Sequence, residues 1–444
     1  MHTVLYLLSK LFRLSVFVLR RLGSGGTSLP GLFVERFAPY VIAPFTRSYD
    51  LVIVITGTNG KTTTQEAMGT ILQNAGYSIV RNASGSNMFR GIATTVITAG
   101  TSSVKAQKRA LVLEVEEATT PRLAEFIQPH IVIITNFYRD QLDAYGEVYT
   151  TVGYVKSAVA RWSSATLVVN ADDPLVRSLC AGLDSPRVVS GYSLGAHATH
   201  FAYESSHGHS PTIQSAMSVT KVEQRDDFST TIEIDSAGTT LTCTIPLAGL
   251  YNVYNICAAL SAARCIDIDL ASASSAVASM SAPFGRGEAL SVVLPSGKRI
   301  DYRIFLVKNP AGLTQVWRMV CQSSTSADSI FALNDRIADG RDVSWIWDAV
   351  MEEKHSATRG SVWATGMRAY DMALRLKLSG APIRNEAIVK NMSKCIKTYH
   401  ATVDAETPDR RSCLVLATYT AMNEIRDVLA EFTTVHKFQT TKHL

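Results

Sequence analysis

One stretch of the sequence decides the fold. Residues 51–63 read Leu51-Val52-Ile53-Val54-Ile55-Thr56-Gly57-Thr58-Asn59-Gly60-Lys61-Thr62-Thr63. A β-branched run leads straight into a glycine-rich turn, and a helical pattern follows from Thr64 to Ala75 and closes at Gly76. A strand, a glycine turn and a helix in this order are the context of a phosphate-binding loop, because backbone N–H groups and the helix dipole then face the anion.

The polar residues of this loop predict nucleotide binding. Lys61 is expected to neutralise the β- and γ-phosphates of ATP, and Thr62 is expected to ligate Mg²⁺. The spacing is one residue tighter than the common GxxxxGK[ST] form. A glycine-rich turn that binds no nucleotide is disfavoured, because strand, loop, lysine, hydroxyl and helix all agree.

Outward from the loop, apolar runs alternate with helical patterns. Residues 110–115, 130–134 and 166–169 are continuous apolar runs, which are typical of parallel strands covered on both faces. The sequence therefore predicts an α/β fold, with a mostly parallel ATP-binding sheet over residues 49–290 and a second, Rossmann-like α/β unit over residues 291–444. Between residues 190 and 245 the composition shifts to Ser, Thr and His with alternating strands, which predicts an antiparallel insert.

Carboxylates follow two neighbouring strands of the predicted sheet. Glu114, Glu116 and Glu117 end one strand, and residues 135–143 follow the next with Asn136, Asp140 and Asp143. Alone, either cluster would more often be a solvated strand end. Because parallel sheets open their crevice at the carboxyl ends of strands, their place beside the phosphate loop favours a site for metal and substrate, with Glu114 as a Mg²⁺ ligand.

Composition limits the class of protein. The chain has 444 residues, of which 46% are hydrophobic and 18% charged, so it is long enough for two compact units. Its net charge of +5 is small and the basic residues are scattered, which argues against nucleic-acid binding. Seven cysteines with no CxxC pair argue against a disulfide framework or a thiolate zinc site and favour a cytoplasmic protein.

The first 48 residues form an extension with one strongly apolar segment, Val4 to Leu19. Lys10 and Arg13 interrupt it, and it is shorter than the roughly 20 residues of a spanning helix. No small-residue cleavage site follows, which argues against a secretory signal. We expect an amphipathic helix whose apolar face either packs on the body of the protein or rests on the inner surface of the membrane.

Several further motifs carry a resemblance to a known superfamily. With the phosphate loop and residues 136–143, the stretches 82–92, 170–174 and 249–255 resemble the central domain of Mur ligases and folylpolyglutamate synthases. In that superfamily ATP phosphorylates a carboxylate, and an amine attacks the acyl phosphate to give an amide. The resemblance implies catalytic roles for Lys61 and Glu114, and further ATP or phosphate contacts at Asn252, Asn255, Arg286, Lys308 and Asn309.

The second half of the chain is similar to one branch of that superfamily, the MurT family. The similarity lies in residues 284–288, 308–312, 338–348 and 368–377, together with residues 25–31, and covers nearly the whole chain. It implies a subunit of lipid II isoglutaminyl synthase. Such subunits pair with a GatD-like glutamine amidotransferase, take its ammonia, and convert the D-glutamate α-carboxylate of the lipid II stem peptide to D-isoglutamine.

The run Asp339 to Asp348 holds three aspartates and two tryptophans. In complexes that this chain resembles, the MurT-like subunit supplies an acid that orients the histidine of the glutaminase Cys-His pair. Asp348, directly after Trp-Ile-Trp, is the first candidate, Asp342 the second and Asp339 the third. The alternative is that the tryptophans pack as anchors while the aspartates cap turns.

Two features depart from the wider superfamily. Only about fifty residues precede the phosphate loop, which suits a lipid-linked substrate better than a UDP-linked one. Many MurT-like proteins carry a four-cysteine zinc ribbon, but this sequence offers only histidines in that region, so no zinc is expected there; they are His197, His200, His207 and His209.

Two other functions compete with that of a MurT-like amidating subunit. One is a stand-alone ligase that joins an amino acid, as folylpolyglutamate synthases do, and residues 338–348 argue against it. The other is a nucleotide-binding scaffold without chemistry, which the acidic residues beside a complete phosphate loop disfavour.

Overall fold

The computed structural model describes most of the chain, namely residues 2–21, 29–83, 85–100, 108–137, 148–181, 183, 188–197, 212–225, 228–281, 285–322, 327–352, 360–406 and 410–432. Its helices are α1 His2–Arg21, α2 Leu29–Phe37, α3 Ile42–Thr46, α4 Lys61–Asn74, α5 Phe89–Ala99, α6 Thr120–Leu123, α7 Val148–Arg161, α8 Pro174–Ala181, α9 Leu250–Arg264, α10 Leu270–Ala278, α11 Pro310–Gln322, α12 Ala369–Leu378, α13 Met392–Ala405 and α14 Tyr419–Ala430.

The strands fall into two sheets. The first nine are β1 Leu51–Thr56, β2 Ser78–Arg81, β3 Arg109–Glu114, β4 Ile131–Ile134, β5 Thr166–Asn170, β6 Val189–Ser193, β7 Ser215–Gln224, β8 Thr230–Ser236 and β9 Thr239–Ile245. The other six are β10 Arg286–Val293, β11 Arg299–Leu306, β12 Ala327–Ala332, β13 Val362–Thr365, β14 Ile383–Val389 and β15 Arg410–Ala417.

The first sheet has the order β2-β3-β1-β4-β5-β6-β7-β8-β9. Its strands are parallel from β2 through β7, and β8 runs antiparallel to both β7 and β9. Apolar clusters cover both of its faces, which explains the continuous apolar runs of the central strands. The phosphate-loop strand β1 lies between β3 and β4, so the ends of all three strands meet at one edge.

The region predicted as an antiparallel insert differs from that expectation in one respect. Strand β6 pairs in parallel with β5, and β7 to β9 continue the same sheet. The alternating polar residues of β8 and β9 therefore belong to an edge extension of the ATP-binding sheet. Alternation reports that one face is less buried, but it does not reveal which strand is the pairing partner.

The second sheet has the order β10-β11-β15-β12-β13-β14, and only the β10–β11 pair is antiparallel. It too is covered on both faces, which agrees with the predicted second α/β unit. The predicted boundary near residue 290 falls inside β10, which pairs along its length with β11. The second sheet thus begins at Arg286, while the division into domains stays a prediction.

The N-terminal extension forms the expected helix. One side of this helix is buried against the protein, and another side is exposed. Helix α1 buries Leu5, Ser9 and Val16 and also exposes several large apolar side chains. Among the described residues, no helix is both long and apolar enough to cross a bilayer.

Candidate active site

The phosphate loop lies between the end of β1 and the start of α4. Gly57 and Gly60 adopt φ values of +119° and +92°, which favour glycine strongly. Gly60 directly precedes α4, and no side chain caps this helix start. The first backbone N–H groups of a helix have no acceptor within the helix, so they are available to an anion. A Cβ at Gly60 would lie 2.0 Å from Oδ1 of Asn255, so the loop can be this tight only with glycine. The geometry is that of an anion-binding helix N-terminus.

Lys61 is held in the loop by a buried ion pair. Its Nζ donates to Oε1 of Glu117 at 2.9 Å and to the carbonyl of Gly57 at 2.6 Å. Both side chains are buried, with 6% and 4% of Lys61 and Glu117 exposed. Burial alone would lower the pKa of Lys61, but Glu117, Glu116 and Glu114 together outweigh it and raise the pKa above its ordinary value. The ammonium is therefore charged at neutral pH.

The surroundings of Lys61 carry more negative than positive charge. Burial raises the pKa of Glu117, the Lys61 charge opposes that rise, and the nearby Glu116 adds to it. The two pKa values are raised for different main reasons, since the three carboxylates raise that of Lys61 whereas burial is the largest cause for Glu117. A second cation at this site would relieve the repulsion among them.

Glu114 lies where a metal bound to the phosphate loop would need it. The Thr62 hydroxyl donates to Oε2 of Glu114 at 2.8 Å, so the two predicted Mg²⁺ ligands are in direct contact. Asn87 Nδ2 donates to Glu116 at 2.8 Å and lies 3.5 Å from the other oxygen of Glu114. Asn82 fixes the strand end below them, since its side chain bonds both the N–H and the carbonyl of Glu114.

These residues fit Mg²⁺ as it is usually bound. Among the residues that the structure describes, no three His, Cys, Asp or Glu side chains converge as a metal centre. Mg²⁺ prefers one or two carboxylates together with phosphate oxygens and water, and the Thr62–Glu114 pair beside excess negative charge matches that preference. Of the histidines considered for zinc, only His197 lies within the described residues, so the absence of zinc stays a prediction.

Asn136, at the end of β4, braces the loop from the other side. Its side chain exchanges two hydrogen bonds with the backbone of Asn59, at 2.9 and 3.0 Å. Its carbonyl accepts from the Thr58 N–H at 2.8 Å. Asp140 and Asp143, which were predicted to extend this cluster, lie outside the described residues.

The side chain of Asn59 connects the loop to the second unit. Asn309 Nδ2 donates to Oδ1 of Asn59 at 3.0 Å, and Oδ1 of Asn309 accepts from the Gly312 N–H at 2.8 Å. Asn309 thereby caps α11, in which Pro310 occupies the first turn. Lys308 precedes this contact directly. Asn309 thus supports the phosphate loop through Asn59.

Of the other residues implied by resemblance, Asn255 borders the phosphate loop, while Asn252 and Arg286 lie at the start of α9. Asn255 lies against Gly60, and its carbonyl lies 3.3 Å from the Thr64 hydroxyl that donates to it. Asn252 is fully buried and donates to the carbonyl of Ala248, so it shapes the start of α9. Burial raises the pKa of Tyr251 to about 12, and the nearby Arg286 opposes the rise, which places Arg286 beside the same helix start. Nucleotide contacts at these positions stay predictions.

The three candidate aspartates have different surroundings. Asp339 is buried, and its oxygens accept from the N–H and hydroxyl of Thr420 at 2.7 and 2.5 Å. Asp342 is exposed but accepts from the N–H and hydroxyl of Ser344, as a turn cap does. Asp348 is exposed and follows the short helix Ser344–Trp347. Which of the three serves a partner subunit stays a prediction, with Asp348 as the first candidate.

Arg375 of α12 holds the segment that carries Asp348. The guanidinium is buried and donates to the carbonyls of Ile346 and Ala349 at 3.0 and 2.6 Å. It also pairs with Glu352 at 2.6 Å and stacks over the ring of Trp347 at 5.7 Å. Two residues of α11 bond the same segment from the other side. The Val350 N–H donates to the Thr314 hydroxyl at 2.9 Å, and Nε1 of Trp317 donates to the Met351 carbonyl at 3.1 Å. Asp348 is therefore displayed on a firmly fixed segment.

Replacing Arg375 by alanine is expected to lower the free energy of unfolding by at least about 2 kcal/mol, because two carbonyls in a buried setting lose their donor. Urea titration followed by circular dichroism would measure it. Lys377→Ala, on the same helix but exposed, is the matched control and should change stability by less than about 0.5 kcal/mol. Equal effects of the two changes would contradict the positioning role of Arg375.

Comparison with known proteins shows the family to which this chain belongs. The family model of the Mur ligase middle domain matches residues 55–263, and that of the MurT ligase C-terminal region matches residues 306–422. A lipid II isoglutaminyl synthase (glutamine-hydrolyzing) subunit MurT from Streptococcus pneumoniae is 32% identical over 96% of this chain and 97% of its own length. The chain belongs to the MurT family.

Other MurT-family relatives and solved structures agree. A MurT subunit from Staphylococcus aureus is 28% identical over 81% of this chain and 84% of its own length. The crystal structure of MurF from Acinetobacter baumannii superposes with a TM-score of 0.70 at 15% identity, covering 92% of this chain and 81% of that one. A Mycobacterium tuberculosis folylpolyglutamate synthase gives a TM-score of 0.61 at 16% identity, covering 96% and 97%. These likenesses confirm the Mur-ligase fold.

Sequence reasoning missed some residues of this MurT-family site. Glu117 was noted as one of three strand-end acids, but nothing in the sequence singled it out as the partner of Lys61. Asn87 lay inside a motif known only by resemblance, and Arg375 likewise. No sequence signal set Glu117 apart from Glu114 and Glu116; the structure places it at the start of the short helix Glu117–Thr119.

Proposed function

We propose that this chain is the ATP-dependent subunit of a lipid II isoglutaminyl synthase. It converts the D-glutamate α-carboxylate of the lipid II stem peptide to a carboxamide, using ammonia from a GatD-like glutaminase subunit. Membership of the MurT family supports the substrate and the reaction. The observation that carries the chemistry is the charged, buried Lys61 in the phosphate loop beside the Thr62–Glu114 pair.

In the first step, a carboxylate oxygen of the substrate attacks the γ-phosphorus of ATP, and ADP leaves. Because charge spreads over the transferred phosphoryl oxygens, catalysis depends on positioning and on cations placed beforehand. Lys61 supplies such a cation, and the helix N-terminus of α4 adds backbone N–H groups. Mg²⁺ held by Thr62 and Glu114 would add charge neutralisation when bound.

In the second step, ammonia attacks the acyl carbon of the acyl phosphate. The tetrahedral intermediate collapses, inorganic phosphate leaves, the nitrogen loses a proton, and the amide remains. Neutral ammonia is required, since ammonium has no lone pair. A supply from a glutaminase subunit provides it at the site of use, and the MurT relatives are named as subunits of glutamine-hydrolyzing enzymes.

The acid that we propose for the glutaminase is Asp348. It would orient and stabilise the imidazolium of the partner's histidine. Its display on a segment clamped by Arg375 supports this role, because a triad acid must be held in one orientation.

An exposed apolar stripe along α12, the helix that carries Arg375, is proposed as the partner-docking surface. Large apolar side chains are exposed at helical spacing, namely Met367 just before α12 and Tyr370, Leu374 and Leu378 on the helix itself. Trp347, which is half exposed, contacts Arg375 of the same helix. Aromatic and aliphatic anchors of this kind dominate binding energies in protein interfaces.

Leu374→Glu is expected to weaken the complex with the glutaminase subunit by about tenfold or more, because a charge replaces an apolar anchor in the interface. Isothermal titration calorimetry with the purified glutaminase subunit would measure it. Val293→Glu, an exposed apolar residue on β10, is the control and should bind as the parent does. Undiminished affinity of Leu374→Glu would remove this stripe from the interface.

The proposed function is tested by ADP release from the purified protein with ATP, Mg²⁺ and lipid II. ADP and amidated lipid II should form with ammonium alone, and with glutamine only when the glutaminase subunit is present. A stand-alone ligase would release ADP with a free amino acid instead, and a scaffold would release none.

Because lipid II is anchored in a bilayer, we also propose that the chain acts at the inner face of the membrane.

A further inference from the structure

The first two helices present an apolar surface to solvent. On α1 the exposed large apolar residues include Leu7, Leu11 and Leu14, which follow helical spacing along one side. The surface, here called the N-terminal apolar face, comprises Tyr6, Leu7, Leu11, Leu14 and Phe17 of α1, Leu32, Phe33 and Phe37 of α2, and the adjoining Tyr40. Leu11 and Phe33 are 66% and 63% exposed, so these side chains are not partly buried core residues.

The opposite side of both helices is already packed. Leu5 of α1 belongs to the apolar core, and Val16 is buried as well. Arg13 donates to the carbonyls of Thr98 and Ala99 at the end of α5. Gly31 of α2 approaches so closely that a Cβ there would lie 1.7 Å from the carbonyl oxygen of Arg90. The helices are therefore seated on α5, and their outer face is a second apolar surface.

The charged residues of α1 are all basic. The sequence holds no Asp or Glu before Glu35, whereas α1 exposes Lys10, Arg13 and Arg21. Lys10 and Arg21 lie over the rings of Tyr6 and Phe17, at 5.4 and 4.9 Å from the ring centroids. Cations interleaved with exposed leucine and aromatic residues are the pattern of helices that bind at the headgroup level of anionic membranes.

We infer that the N-terminal apolar face docks on the surface of an anionic phospholipid bilayer, with α1 and α2 lying along the interface. Apolar side chains enter the boundary of the acyl chains, while Lys10 and Arg21 reach the phosphates. A second copy of the chain is a poorer occupant, because a symmetric contact would bring like charges together. The glutaminase subunit has its own proposed surface on α12.

Docking of this face brings the active site to the membrane. Helix α5 begins at Phe89, two residues after Asn87, whose side chain holds Glu116 beside Glu114. Helix α2 contacts the first turn of α5 at Arg90, and α1 contacts its end. The 11 residues of α5 span about 16 Å, and one layer of helices about 10 Å thick separates α5 from the docked face, so the carboxylate site lies within roughly these two lengths of the membrane surface. The inference deepens the proposed function, since it says how a lipid-linked substrate is met.

Vesicle sedimentation tests the inference with the full-length protein. The parent protein should sediment with vesicles of phosphatidylglycerol and phosphatidylcholine in equal parts, and less with phosphatidylcholine alone or at high salt. Leu11→Glu combined with Phe33→Glu should lower the apparent partition coefficient by about tenfold or more, because two charges replace two inserted side chains. Val188→Glu, equally exposed on another surface of the same unit, should sediment as the parent does.

A second variant guards against misfolding. Lys10→Glu combined with Arg21→Glu keeps every apolar side chain and should weaken binding only to the anionic vesicles. Amidation of a water-soluble, short-chain analogue of lipid II should be unchanged in both double variants, so loss of docking and failure of the proposed chemistry are distinguished. The inference is overturned if the parent stays in the supernatant, or if the Leu11/Phe33 variant sediments as the parent does. It is also overturned if that variant instead dissociates a dimer or releases the glutaminase subunit.

Discussion

Lys61→Ala is expected to reduce ATP-dependent amidation to background, a loss of at least about 100- to 1,000-fold. The change removes the one ammonium in the phosphate loop, which bonds the Gly57 carbonyl and pairs with Glu117. Glu114→Ala should cause a comparable loss, because it removes the carboxylate that contacts Thr62. ADP release with lipid II and ammonium, at saturating ATP and Mg²⁺, is the measurement.

Lys61→Ala leaves Glu117 without its partner, so this prediction needs a control for folding. A buried carboxylate without its cation destabilises a protein unless it takes up a proton, and burial already raises the pKa of Glu117. Lys61→Ala combined with Glu117→Gln removes the unpaired charge and should be folded by circular dichroism yet equally inactive. Turnover at the parent rate in Lys61→Ala or Glu114→Ala would refute the assignment of the ATP site.

Asp348→Asn is expected to suppress glutamine-dependent amidation by about 10,000-fold, as neutralising a triad acid does, and to leave amidation with free ammonium largely intact. The reason is that Asp348 is proposed to act on the glutaminase histidine and not on phosphoryl transfer. Both reactions are measured on the assembled complex, with lipid II and either nitrogen source.

Asp342→Asn is the matched control, because Asp342 lies on the same segment, is also exposed, and is already engaged by Ser344. It should change neither reaction by more than a few-fold. If Asp348→Asn lost both nitrogen sources equally, the residue would belong to the ATP site or to the fold. If glutamine still supported amidation, another residue would complete the triad.

The sequence predicted the centre of the first sheet well, for a simple physical reason. Strands β1, β3, β4 and β5 are buried on both faces, so their side chains form continuous apolar runs that few other structures allow. The phosphate loop was predictable because its function demands glycine at fixed positions, and Gly57 and Gly60 do adopt positive φ.

Other features depend on tertiary contacts that local patterns do not encode. The pairing of β6 with β7, which extends the main sheet, is a choice of neighbour and not of period. The partners of Lys61 and of Asp348's segment, Glu117 and Arg375, are distant in sequence and charged like many surface residues. Helix α1 was expected to have one apolar face, but it has two, and the sequence alone could not separate the buried face from the exposed one.

The contact between Asn59 and Asn309 has a consequence for the order of events in the complex. Asn309 caps α11, and the same helix holds the main chain at Val350 and Met351, two and three residues beyond Asp348. If a bound nucleotide displaces the Asn59 side chain, one end of α11 would shift, and the contacts of that helix with Val350 and Met351 would carry the shift to the segment of Asp348, the acid proposed for the glutaminase. Such a linkage would couple glutamine hydrolysis to occupation of the ATP site, so that less ammonia is lost to the surrounding solution.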